Sequence, residues 1–80
     1  MTILAVFRSR AQTLDAISLL KAAGVPAQAV STPKEAGVGC GISAKFDARF
    51  FPRAQTLLKK KGYSSFSGYL RSGMSGFYYE

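Results

Sequence analysis

Histidine is absent from the 80 residues and cysteine occurs once, at Cys40. A self-contained zinc site, a histidine general base and a Ser-His-Asp triad are excluded by that inventory, and an internal disulfide is excluded with them. Acidic residues are scarce: 4 Asp and Glu stand against 11 Lys and Arg, a formal charge of +7. Glu35 and Asp47 form no paired-carboxylate motif and Asp15 reads as a solvated helix residue, so acid–base hydrolysis has no support. Long apolar runs are missing too. The opening Met1 to Phe7 is too short for a signal peptide's hydrophobic region and meets Arg8 at once, and no run approaches membrane-spanning length. The expectation is a cytoplasmic chain with no membrane association and a reduced thiol.

Apolar residues make up 48 % of the chain, enough for a folded core, and the length fits one small domain. The excess of cations favours an acidic partner, whether nucleic acid, a phosphate-bearing ligand or an acidic protein, without choosing among them.

Ile3-Leu4-Ala5-Val6-Phe7 has the length and continuous apolarity of a central strand covered on both faces. Ser9 stands where a helix N-cap belongs. From Arg10 to Ala23, Thr13, Ala16, Ile17 and Leu20 recur at helical spacing with Leu14 beside them, and Gly24 and Pro26 stop the helix. Ala27 to Ser31 is a short strand candidate ended by Thr32-Pro33. Ile42, Ala44 and Phe46 alternate with Ser43 and Lys45, as in a strand with one buried face. Asp47 is a candidate cap, but Pro52 moves the second helix's start to Arg49–Phe51, where a proline in the first turn does no harm. Phe50, Ala54, Leu57 and Leu58 form its stripe, and Lys59-Lys60-Lys61 with Gly62 close it.

A last strand runs from about Ser64 to Leu70, with Phe66 and Leu70 alternating against Ser65, Ser67 and Tyr69. The Gly/Ser-rich segment 71–80 is expected as a mobile C-terminal tail after a single domain at 1–70. Strand-helix-strand repeated twice predicts an α+β fold: a ferredoxin-like β-α-β-β-α-β sandwich, antiparallel sheet order 4-1-3-2, with two helices on one face. That topology brings Phe7, Ser9, Arg10, Cys40, Gly41 and Lys59 to Lys61 to one edge. The face without helices suggests a homodimer through the open sheet.

Cys40 is the candidate for chemistry. A thiolate is the nucleophile, and the helix N-terminus with Arg8, Arg10 and Lys34 would favour the anion. The alternative is a small structural cysteine at a strand start. Gly37, Gly39 and Gly41 match neither the dinucleotide fingerprint nor the P-loop and precede a strand, so they read as turn-formers that leave space around the sulfur. A basic nucleic-acid or polyanion module is the competing function, since RNA-recognition domains share the predicted fold; the central strands here lack the paired stacking aromatics. A small oligomerising domain without chemistry is a third.

Phe7-x-Ser9, Ala11, the Leu19-Leu20 to Gly24 helix end, Thr32-Pro33-Lys34 and Cys40-Gly41 form an ordered set. Over residues 3 to 70 the chain resembles a family of short bacterial proteins and domains described as selenium/sulfur carrier-like. The resemblance implies that Cys40 carries sulfur as a persulfide, or selenium in its place, between donor and acceptor proteins. It implies that Thr32, Pro33 and Lys34 shape the loop and that Gly41 keeps the sulfur accessible. Lys34 stands where the family usually has arginine, which keeps the charge and loses the forked donors. No cofactor and no catalytic apparatus of its own is called for: the expectation is a carrier, not an enzyme.

Overall fold

The computed structural model describes residues 1–33, 40–73 and 76–79. Strand β1 (Thr2–Phe7) leads into helix α1 (Arg10–Ala22), strand β2 (Gln28–Ser31) and strand β3 (Ile42–Asp47). A 3-10 turn (Ala48–Phe50), helix α2 (Phe51–Lys61), strand β4 (Phe66–Gly73) and strand β5 (Gly76–Tyr79) complete the order. The sheet runs β2-β3-β1-β4-β5, and every neighbouring pair is antiparallel. The expected order of the first four strands is therefore present. Among the described residues no helix is long and apolar enough to cross a membrane.

Local chemistry explains the boundaries. The Ser9 hydroxyl accepts from the Gln12 amide at 3.2 Å, capping α1. The Asp47 carboxylate accepts from the Arg49 amide at 2.9 Å, so this residue caps the 3-10 turn rather than the helix. Pro52 then falls in the first turn of α2, where its missing N–H breaks no bond.

Helices and sheet share one core. Ile3, Ala5 and Phe7 pack with Ala16, Ile17 and Leu20 of α1 and with Ala54 and Leu58 of α2, which puts both helices on one sheet face. Phe7 is fully buried, its ring edge-on to Tyr63 and Phe66 with centroids 5.3 Å away. Truncating a phenylalanine so enclosed costs about 3–5 kcal/mol. Leu14, expected beside the buried stripe, is instead 46 % exposed.

Three further expectations change. Tyr69 was placed opposite Phe66 by alternation, yet it is buried with Phe66 in the helix-side core, the rings 4.9 Å apart. The cause is a register shift between Val6 and Phe7, where Phe7 pairs with Phe66 and Val6 with Gly68; Gly68 takes φ 141, which L side chains rarely adopt. Arg71 onward, expected as a tail, continues β4 to Gly73 and then forms β5, with Leu70 opposite Tyr79 and Arg71 opposite Tyr78.

The third change concerns the sheet face without helices. It holds Leu4, Val6 and Leu70 with Val30 against them. These three are 0–4 % exposed. Ser43 is also fully buried there, where alternation had suggested an outward position; its hydroxyl is 2.6 Å from that of Thr32.

Candidate functional site

Cys40 stands at the head of β3 and is tied to the sheet on two sides. Its amide donates to the Phe7 carbonyl at the end of β1, at 3.0 Å, and the next residue's carbonyl, on Gly41, accepts from the Thr32 amide just past β2, also at 3.0 Å. Gly41 has φ 96, a left-handed conformation that suits glycine, and a Cβ there would meet nothing within 4 Å. Backbone conformation, not crowding, asks for glycine at this turn.

The half-buried sulfur meets the first turns of α1. Sγ lies 3.5 Å from Thr13 Oγ1 and 3.7 Å from the Ile42 carbonyl, to which the thiol donates. Thr13 is fully buried, and both its amide and its hydroxyl donate to the Ser9 carbonyl, each at 3.0 Å. The cap that starts the helix thereby also sets the residue touching the sulfur.

A second set of hydrogen bonds fixes this turn against the connection between α2 and β4. The Ser9 amide donates to Ser65 Oγ at 3.2 Å, and the Ser65 hydroxyl and amide donate to Gln12 Oε1 at 2.6 and 2.9 Å. Gln12 Nε2 donates to Ser64 Oγ at 3.0 Å. Nearby, the Tyr63 hydroxyl donates to Asp15 at 2.6 Å.

Burial pushes the Cys40 thiol up, but the Thr13 hydroxyl, main-chain hydrogen bonding at Ile42 and at Cys40 itself, and the Arg10 guanidinium outweigh it. The thiol therefore sits below its ordinary value.

Of the residues singled out in the sequence, Cys40, Gly41, Ser9 and Arg10 meet at this edge, Arg10 acting through its charge. Arg8 has an exposed side chain and joins through its amide, which donates to the Ser65 carbonyl at 2.9 Å. Thr32 sends its amide to Gly41 and its hydroxyl to Ser43; Pro33 follows it, half-buried. Lys34 and Gly39 lie outside the described residues. Lys61 borders a shallow pocket with Gln12, Asp15, Tyr63 and Ser64, at the end of the molecule the topology assigned to the lysine run.

Sequence reasoning passed over Thr13, Gln12 and Ser65. Thr13 was counted in the helix's apolar stripe, although its position four residues after the Ser9 cap is the spacing at which a threonine hydroxyl reaches the cap carbonyl. For Gln12 and Ser65 no signal existed, because their contact spans 53 positions.

No curated protein and no solved structure gives a match. A family model does, over residues 2–67, most of the chain, and on that match the protein belongs to the family described as "Putative Se/S carrier protein-like".

Proposed function

We propose that this protein carries sulfur, or selenium in its place, on Cys40 and passes it to an acceptor protein, on a ferredoxin-like frame. The observation that carries the reading is the setting of the one thiol: half-buried and held below its ordinary value by Thr13 and Arg10, beside the capped start of a helix. A carrier needs a nucleophile that is ionised near neutral pH, and it needs no second cysteine that would resolve the adduct into a disulfide.

Loading is an exchange without net oxidation. The Cys40 thiolate attacks the terminal sulfur of a donor persulfide, a new S–S bond forms at Cys40, and the donor's own sulfur leaves as a thiolate. Discharge is the same exchange with the acceptor as attacking thiolate. Selenium would occupy the terminal position in the same way. Thr32, Pro33, Lys34 and Gly39 are proposed to shape the loop around the adduct, and Arg8 to add positive charge at the docking edge.

The nucleic-acid reading draws less support from the fold. Phe7 and Tyr69 are buried under the helices, and the helix-free face of β1 and β3 carries Leu4, Val6, Ser43 and Lys45, which offers no stacking platform. Incubation with a cysteine desulfurase and free cysteine, followed by intact mass measurement of wild type and Cys40→Ser, tests the carrier reading.

A further inference from the structure

We propose that Thr13 stabilises the Cys40 thiolate, its hydroxyl hydrogen turning from the Ser9 carbonyl to Sγ when the thiol loses its proton. The role deepens the carrier reading, which gives the thiolate its use.

The argument is a count of hydrogens. Thr13 Oγ1 lies 3.0 Å from the Ser9 carbonyl and 3.5 Å from Cys40 Sγ. A hydroxyl has one hydrogen to give and two lone pairs to accept with. While Cys40 is a thiol, the Thr13 hydroxyl donates to Ser9, and the one S–H hydrogen goes to the Ile42 carbonyl or to Thr13 Oγ1. A thiolate has no hydrogen to offer, so two electron-rich atoms would face each other unless the hydroxyl turns and donates to sulfur. When the S–H bond breaks, its proton goes to solvent and its electron pair stays on Sγ; no other bond is made or lost.

The turn does not strand the Ser9 carbonyl. The Ser9 carbonyl keeps the Thr13 amide at 3.0 Å, its helical partner, when the hydroxyl departs. Thr13 is fully buried, so water does not compete for the hydroxyl, and a hydrogen bond to an anion there acts in a less polar medium than at the surface. Arg10, by contrast, is exposed, and salt screens it. The buried hydroxyl is therefore the part of the site whose effect persists at high ionic strength.

The test is the rate of Cys40 alkylation by iodoacetamide across pH on the full chain, for wild type, Thr13→Val, Thr13→Ala and Thr13→Ser, with folding checked by circular dichroism. Valine keeps the shape and removes the hydroxyl; alanine is a second hydroxyl-free variant should valine pack badly. The expected result is a rate lower by about fivefold or more near neutral pH in both, as loss of a hydrogen bond to an anion implies, with the alkaline plateau retained and serine close to wild type. Folded Thr13→Val or Thr13→Ala with a wild-type pH profile, or Thr13→Ser matching the hydroxyl-free variants, would overturn the proposal. Alkylation needs no sulfur donor, so failure here and failure of sulfur loading are separate results.

Discussion

A few contacts decide what the Cys40 sulfur can do, and most of them come from other elements than its own strand. Gly41 is the local exception, since its φ of 96 sets the turn that follows the cysteine. Gly41→Ala is expected to cost about 1–2 kcal/mol of stability. A Cβ would meet nothing within 4 Å, so the loss is conformational. Gly41→Asn should lose less, because asparagine tolerates the left-handed region better, and urea unfolding midpoints of the two variants check the order. At this scale the sequence singled out Cys40 and the glycine but hid the threonine. Alternation and helical period sort residues by side, and Thr13 and Ser43 are polar residues on buried sides, where only the fold reveals their partners.

At the scale of elements, α1 is held to its position by both ends of one cap. Gln12 takes two hydrogen bonds from Ser65 and gives one to Ser64, while Ser65 accepts from the Ser9 amide. Gln12→Ala is expected to destabilise the fold by about 1–3 kcal/mol, since the half-buried Ser65 amide loses its acceptor. It should also slow Cys40 alkylation at neutral pH by loosening the turn that carries Thr13; denaturant midpoint and alkylation rate on one sample check both. The elements themselves were largely legible: Ser9 and Gly62 bound two helices whose stripes recur at helical spacing, and Ile3 to Phe7 read as a central strand. The fourth strand was legible to Leu70, but not its sidedness, its run on to Gly73 or the fifth strand. A register shift at Val6/Phe7 breaks the two-residue period of β4, and the glycines and serines beyond Arg71 read as tail although β5 follows.

Taken whole, the molecule joins a helix-covered core to an edge where a strand head and a helix start meet, and its stability should vary with pH in a way the core dictates. Burial pushes the Tyr69 hydroxyl from 10.0 up to about 12, and burial with the Asp15 contact raises Tyr63 as well. Between these limits the folded chain keeps protons that the unfolded chain releases. The contribution is complete below the unfolded value near 10 and is lost as pH rises toward 12. Cys40, shifted down from 9.0, acts in the opposite sense: its smaller contribution is present above 9.0 and is lost as pH falls through the lowered value. Urea midpoints should thus hold or rise slightly up to about pH 9 and fall above about pH 10. A midpoint that keeps rising in strong alkali would contradict the tyrosine placement.

Whether Cys40 can bear a transferable sulfur is the central claim, and intact mass tests it most directly. Wild type and Cys40→Ser are incubated with a cysteine desulfurase and free cysteine, then measured before and after reductant. The account predicts a gain of one sulfur atom in wild type, reversed by reductant and absent in Cys40→Ser with its fold intact. A wild-type mass that stays unchanged while Cys40 also resists alkylation in the folded chain would contradict it, and would make the cysteine a structural residue of β3's head.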